Sequence, residues 1–484
     1  MSLVLRGGRL PTADGTVDVL VVDGSIAQIG PAGRLRADEV VSLDGRWVVP
    51  GLWDQHVHFT QWAQTTRRLD VSAAASATEA AELVRRRAAQ DAGADPIIGF
   101  GFHDALWPDL PTRELLDGAG GDRPVVLIAG DLHCCWLNTA AAEMFAPETA
   151  ANPSAAVLRE DESFAVTSRL SAADDEMVDR WAKDAAQAAA ARGVVGIVDL
   201  EYGWNLDVWK RRMAGGFDSL RVEFGIYGDH LRRAIELDLR TGMRIPGTHD
   251  RLTVGPYKVI ADGSLNTRTA YCFDPYPEGG HGVQNLTPEE LESSMAIAAA
   301  NGIEPAIHAI GDHANRIALD AFERVGCSGR IEHAQLLADD DVQRFAELGI
   351  VASVQPEHAM DDRDIADVLW AGRTGRAFPL AALHRAGVRL AFGSDAPVAP
   401  LDPWITMAAA VARTRSGREP WHPEQAIARR VALASSVRSG LEVGDPADLA
   451  VLDDDPFGCG LDLLRTMPVA ATLLAGTFTH DTLR

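Results

Sequence analysis

Trp53-Asp54-Gln55-His56-Val57-His58-Phe59 follows an apolar run, Val48-Val49-Pro50-Gly51-Leu52, that a Pro-Gly pair interrupts. The run predicts a buried strand, and residues two apart on a strand project to the same side. His56 and His58 are therefore expected on one face, at one end of a rigid element. Two imidazoles so placed are half of a metal site. The same pair is compatible with two ordinary histidines near a strand end, so the later strands must decide.

Four further apolar runs end in an ionisable residue. They are Tyr257-Lys258-Val259-Ile260-Ala261-Asp262, Ala306-Ile307-His308-Ala309, Arg330-Ile331-Glu332-His333 and Leu390-Ala391-Phe392-Gly393-Ser394-Asp395. Lys258 interrupts an apolar strand, where a buried ammonium is costly. Carbamylation by CO2 would turn it into an anionic oxygen ligand able to bridge two cations; the alternative is a snorkelling or ion-paired lysine. His308 and His333 each read alone as a satisfied core histidine, and together with His56 and His58 as a ligand set. Asp395, after a Gly-Ser break, reads as a ligand and proton acceptor, or as the cap of the next element. Imidazole and carboxylate donors suit Zn2+, and also Mn2+ or Fe2+. Such a cation brings the pKa of bound water toward neutrality. Asp395 would then take the proton as the water attacks a carbonyl and pass it to the leaving nitrogen.

The strand patterns lie near residues 53–58, 194–200, 220–227, 254–261, 304–309, 329–334, 350–355 and 389–395, with helical patterns at 174–192, 287–301, 312–325 and 339–348. Asp339 is the expected N-cap of the last helix and Gly349 its stop. This alternation predicts an α/β chain with a (β/α)8 TIM-like barrel over residues 52–436, its catalytic residues at the strand C-termini. Residues 60–173 are too many for a loop. They are expected to form an α/β insertion after the first barrel strand, with a helix over 76–92 and strands at 97–102 and 124–129. Residues 1–51 carry short strand patterns at 3–5, 17–22, 26–29 and 40–43, too few to bury a core alone. Residues 437–484 add strands at 447–452 and 469–474. One small β-sandwich built from both termini follows.

Composition narrows the partners. The 484 residues carry a formal charge of −24 from 45 basic and 69 acidic side chains, which argues against nucleic acid and anionic membranes. No apolar run reaches the length of a membrane span, and the N-terminus lacks the regions of a signal peptide. Five cysteines without a CxxC spacing argue against a disulfide framework and a cysteine zinc site. The expected setting is the reducing cytoplasm, with a small-molecule substrate; a homodimer is one candidate assembly.

The chain resembles the amidohydrolase superfamily, and more closely the branch that includes N-substituted formamide deformylases (amidohydrolase family 3). The carrying stretches run in matching order over nearly the whole chain. They are Pro50 to Phe59, Lys258-Val259-Ile260-Ala261-Asp262-Gly263-Ser264-Leu265, His308-Ala309-Ile310-Gly311-Asp312, Ile331-Glu332-His333-Ala334-Gln335, Ser353-Val354-Gln355-Pro356-Glu357-His358 and Gly393-Ser394-Asp395-Ala396-Pro397-Val398. The stretch Leu441-Glu442-Val443-Gly444-Asp445-Pro446-Ala447-Asp448-Leu449 resembles the family's return to its β-sandwich. The resemblance implies that His56, His58, His308, His333 and Asp395 are metal ligands of one or two divalent ions, most often Zn2+, and that Lys258 is the lysine often carboxylated as a bridge. Asp131-Leu132-His133 resembles the Asp-Gly-His of the family's insertion. With Trp136 and Asn138 it is expected to face the substrate, a packed loop being the alternative; Arg268 is expected to contact substrate or to brace its loop, and His358 to contact substrate. Ser264-Leu265-Asn266-Thr267-Arg268-Thr269-Ala270 departs from the usual Ser-Leu-Gly-Ser-Arg-Thr-Ala, which puts the family's usual substrate in doubt.

The implied activity is metal-dependent hydrolysis of a C–N bond in an amide, N-formyl or N-acyl compound. Two other readings stand beside it. One is the same scaffold acting on an ester, a cyclic amide or an amine by deamination. The other is a non-catalytic binding protein, which would require missing ligands. Trp62, Phe100, Phe102, Leu106, Trp107 and Trp136 point either to an apolar substrate group or to the insertion's own core.

Overall fold

The structure is a computed structural model that describes residues 2–65, 68–90, 93, 96–150, 152, 156–170 and 175–484. Eight parallel strands form one sheet in sequence order: β1 (Leu52–Val57), β2 (Val194–Asp199), β3 (Arg221–Tyr227), β4 (Leu252–Ile260), β5 (Pro305–Ala309), β6 (Arg330–His333), β7 (Val351–Val354) and β8 (Leu390–Phe392). The strands are apolar and buried almost throughout, as a parallel sheet covered by helices requires. Helices Asp175–Ala190, Pro288–Ala300, Asp312–Val325 and Asp339–Glu347 lie among the covering elements. The sheet closes into a TIM-like (β/α)8 barrel where β1 meets the chain after β8. There Val57 bridges Ala396, the Asp395 amide donates to the His56 carbonyl at 2.7 Å, and the His58 amide donates to the Ala396 carbonyl at 2.7 Å.

Two expectations about local structure need amendment. Ala338, not Asp339, occupies the N-cap of Asp339–Glu347, and it makes no side-chain cap bond. Asp339, Asp340 and Asp341 instead fill the first turn, where carboxylates meet the positive end of the helix dipole. The apolar run into His56 is two strands rather than one. Trp47–Pro50 pairs with Leu449–Leu452, and the chain changes sheets at Gly51, where a Cβ would lie 2.4 Å from the Val195 side chain. The expected helix positions 91–92 and 174 lie outside the described residues.

Two four-stranded sheets flank this crossover. One is ordered Ser25–Pro31, Val17–Val22, Ser2–Gly8, Glu39–Ser42; the other is ordered Thr477–Asp481, Val469–Leu474, Leu449–Leu452, Trp47–Pro50. Leu3, Leu5, Val19 and Val41 share an apolar core with Leu449, Val451 and Leu473, so residues from both ends of the chain bury one another.

Between β1 and β2 stands a five-stranded mixed sheet, ordered Val157–Arg159, Cys134–Leu137, Val125–Ala129, Ile97–Phe102, Leu69–Asp70. Helices Ala77–Gln90 and Arg113–Gly120 pack on it, through Val84 and Leu116 among others. Phe102, Trp107 and Trp136 meet at ring separations of 5.6–6.4 Å in its core. Of the six large apolar residues singled out in this region, these three are therefore core. Trp62, Phe100 and Leu106 line a cavity of about 680 Å3 that adjoins the site described next.

Candidate metal centre

The barrel seam carries the densest group of donors. His56, near the end of β1, and His58, just beyond it, both turn their Nε2 atoms to Asp395 Oδ1, each at 3.3 Å. The Asp54 carboxylate ties the seam together by accepting from the Ser394 amide at 2.9 Å and the His56 amide at 3.2 Å. Burial pushes that carboxyl up to about 7. Gly393 is the residue that fits: a Cβ there would lie 2.7 Å from the His56 amide nitrogen. Asp395 (φ 57°) and His333 (φ 74°) hold left-handed backbone that side-chain-bearing residues rarely adopt. Such strain gathers at sites where a side chain must be aimed.

Asp395 also faces a second group. His333, His358 and Asp395 can offer donor atoms within 4.8 Å of one another, as can His56, His58 and Asp395. Asp395 is thus common to both. Its Oδ1, His58 Nδ1 and His358 Nε2 are buried without a hydrogen-bond partner. The two 3.3 Å contacts at Oδ1 therefore bring donors together without bonding them, an arrangement that a shared cation would satisfy.

Around these donors lies a ring of orienting groups. His56 Nδ1 meets Glu332 Oε2 at 2.6 Å, which leaves Nε2 as the lone-pair atom facing the site. Glu332 in turn accepts from Arg330 Nε. Burial opposes its charge, but Arg330 and His56 outweigh burial and hold the carboxyl well below its usual range. His333 Nδ1 meets Gln355 Oε1 at 2.9 Å, and Tyr202 stacks on His58 with 5.2 Å between ring centroids. Burial and then the charge of Lys258 hold His56 neutral, down at about 4. Burial also pushes the Lys258 ammonium down to about 8, against the pull of Glu332 and Asp395. Its Nζ lies 3.5 Å from His56 Nε2.

The remaining expected residues divide. His308 lines the pocket and stands outside both donor groups; its Nε2 faces the Gly263 carbonyl at 3.3 Å, which leaves Nδ1 as its lone-pair atom. His358, expected as a substrate contact, stands inside one of them. Asp131 and His133 reach the pocket from the insertion. Asp131 accepts from Ser264 Oγ at 2.8 Å, and His133 Nδ1 meets Glu160 Oε2 at 2.8 Å. Trp136 and Asn138 do not reach it. Trp136 is fully buried and donates from Nε1 to the Thr112 carbonyl at 3.0 Å. Asn138 caps helix Thr139–Phe145, and its amide nitrogen donates to the Arg123 carbonyl at 2.9 Å. Arg268 turns away to Glu278 at 3.5 Å and is absent from the pocket wall. Glu332, Gln355, Glu160, Tyr202 and Asn266 were given no role by the sequence. Glu332 and Gln355, inside stretches that carry the family resemblance, and Asn266, at a departure from the family pattern, carried a local signal.

The family profile described as "Amidohydrolase family" matches residues 39–480. The chain belongs to the amidohydrolase family. It is 28% identical to Protein LONG AFTER FAR-RED 3 of Arabidopsis thaliana, over 94% of this chain and 88% of that protein. It is 26% identical to the N-substituted formamide deformylase of Arthrobacter pascens, over 96% of this chain and 94% of that enzyme. The crystal structure of an uncharacterized metal-dependent hydrolase from Pyrococcus horikoshii OT3 superposes with a TM-score of 0.79 at 26% identity, covering 96% of this chain and 99% of that one. The amidohydrolase described here is therefore a hydrolase by family, with histidine and aspartate groups that could hold a metal. Among the described residues no helix is long and apolar enough to cross a membrane.

Proposed function

We propose that this amidohydrolase hydrolyses the C–N bond of a small N-acyl or N-formyl amine, with one or two divalent cations, Zn2+ first among them, held by His56, His58 and Asp395 and by His333, His358 and Asp395. The observation that carries the reading is the convergence of two buried imidazole nitrogens on the unpartnered Asp395 Oδ1 at 3.3 Å. A cation bound there would polarise the substrate carbonyl and make water a nucleophile near neutral pH. Lys258 is buried beside His56, and its lowered pKa favours the neutral amine that adds CO2. Its carboxylated form would add an oxygen donor.

The chain's own groups account for the proton path. Asp395 is ionised: burial opposes its charge, and the imidazoles around it outweigh burial and hold its carboxyl well below the usual range. Oδ1 faces His56 and His58 at 3.3 Å, and Oδ2 faces His358 and His333 at 3.9 and 4.0 Å; with a cation at the first group alone, Oδ2 would accept the proton of the attacking water and return it to the leaving nitrogen. As the C–N bond breaks, the carbonyl carbon keeps the water oxygen as a carboxylate, and the amine leaves with the proton. His133 has its Nδ1 committed to Glu160, so its Nε2–H is the donor free for the substrate oxygen. The pocket is tight, with a cavity volume of about 50 Å3, which favours a formyl or similarly small acyl group. The adjoining cavity of about 680 Å3, with Trp62, Phe100 and Leu106 in its wall, can take a bulkier amine substituent.

The test is metal analysis of the purified enzyme, followed by a panel of N-formyl amines, longer N-acyl amines, esters and cyclic amides. Bound Zn2+ or Mn2+, with formate release fastest from the N-formyl compounds, is the expected result. Turnover of esters alone, or full activity after chelation, would overturn it.

A further inference from the structure

The turn after β4 is tied down on both sides of one residue. Ser264 Oγ donates to Asp131 Oδ2 at 2.8 Å and lies 2.9 Å from Thr267 Oγ1. Thr269 Oγ1 donates to Glu160 Oε1 at 2.7 Å, and the Arg268 amide donates to the Leu265 carbonyl at 3.0 Å. Between them sits Asn266, in the pocket wall and only 4% exposed, with neither Oδ1 nor Nδ2 hydrogen-bonded. A buried carboxamide without partners is costly to keep, and a native structure retains one where something else supplies the bonds. The braced turn fixes the backbone that presents the side chain to the pocket.

Charge narrows what supplies them. The pocket wall carries Asp131, Asp361, Asp362 and Asp395. Among the described residues lining it, Lys258 is the only lysine or arginine, and it lies against His56 in the donor group. His133 is already paired with Glu160. A substrate carboxylate beside Asn266 would meet the Asp131 carboxylate that Ser264 holds there, while in the proposed reaction the donor-group cation and the His133 Nε2–H both engage the acyl end of the substrate. A primary carboxamide offers one acceptor and two donors side by side, and the matching partner is another amide edge.

We propose that Asn266 is a specificity-determining residue that pairs, through Oδ1 and Nδ2, with a neutral amide-type group on the amine portion of the substrate. The enzyme then selects N-acyl amines that carry a carboxamide, urea or lactam over the corresponding carboxylates. This rests on the reading of the same pocket as the substrate site of an amide hydrolase.

Binding and turnover separate the two claims. Binding of N-formylglycinamide and of N-formylglycine is measured by calorimetry on metal-loaded Asp395→Asn enzyme, with and without Asn266→Ala or Asn266→Leu. Formate release from the same compounds is followed on the native enzyme. Asn266 makes no hydrogen bond in the fold, so both variants should melt as their parent does. The amide is expected to bind at least roughly tenfold more tightly than the acid, and either Asn266 variant should erase most of that preference. Equal binding of the pair, no binding of either, or a preference that survives both variants overturns the proposal. Preferential binding without formate release from native enzyme would refute the hydrolytic reading and leave the assignment of Asn266 standing.

Discussion

The two walls of the pocket are built by different means. On the seam wall, His56, His58 and Asp395 are positioned by barrel backbone: the amides of His58 and Asp395 are themselves the bonds that close β1 against β8. On the insertion wall, Asp131, His133 and Asn266 ride on loops, and side chains fasten those loops together, Ser264 to Asp131 and Thr269 to Glu160. A donor displaced on the seam wall displaces the barrel closure with it. A change on the insertion wall leaves the barrel intact and alters what lies against the substrate. Under the proposed function the first wall would carry the reaction and the second the choice of substrate, as expected where a rigid scaffold carries variable loops.

The sharpest way to break that division is to remove the seam imidazoles. His56→Ala combined with His58→Ala should abolish both bound metal and turnover, read by elemental analysis and by assay after adding Zn2+ or Mn2+. Metal-free double variant with native activity would take the chemistry away from this wall. Next in size is Asp395→Asn, which keeps the shape and one oxygen donor but cannot take a proton at neutral pH. It should retain most of its metal and lose turnover by roughly 10²–10⁴-fold, the range of general acid–base catalysis. Near-native turnover with metal bound would leave Asp395 as a seam brace only.

Glu332→Gln tests whether the orienting ring matters. Glu332 fixes which His56 nitrogen faces the donor group, and it also neutralises Arg330. Loss of such a partner typically weakens metal affinity or activity by roughly 10–100-fold, so competition with a chromophoric chelator should show that weakening. Arg330 keeps bonds to Ser353 Oγ and the Gln55 carbonyl, so the variant should fold. Unchanged metal affinity would assign Glu332 to stability alone.

Much of the seam wall is legible in the amino-acid sequence, and most of the insertion wall is not. A histidine or aspartate ending an apolar strand is a local pattern, and eight such strands in order imply where their ends gather. For His308 the strand position is legible, but which ring nitrogen faces the pocket is not: the Gly263 carbonyl, on another strand's loop, engages Nε2 and leaves Nδ1 as the lone-pair atom. Glu332 lies 276 residues from His56, so nothing in the β1 stretch could name it as the group that orients that imidazole. On the insertion wall, Trp136 and Asn138 follow His133 closely enough to suggest a shared role. Strand Cys134–Leu137 is buried on both faces, so Trp136 is drawn into the core, and Asn138 is taken up by the helix that follows.

The smallest expected effect concerns charge on the insertion wall and sharpens the comparison from that side. Burial alone would push the His133 imidazolium down from its ordinary 6.5, but the Glu160 carboxylate at 2.8 Å outweighs burial and raises it to about 9. Glu160 correspondingly sits below its usual range. The folded pKa lies above the ordinary value, so the pair's contribution to stability is full below about pH 6.5 and fades as the pH rises through about 9. Glu160→Gln keeps a similar shape and an oxygen that Nδ1–H can meet, but it removes the charge. Burial is then the dominant influence, and the His133 midpoint should move down. NMR of ring-labelled histidine in the metal-free protein reads this directly, with His133→Gln to assign the signal. In the loaded enzyme, the same variant should weaken substrate binding at neutral pH, where native His133 is a cationic donor, and leave metal content unchanged. A midpoint that stays near 9 would remove Glu160 as the cause of the shift. A loss of metal on Glu160→Gln would show that the two walls are coupled and that the division of labour between them is wrong.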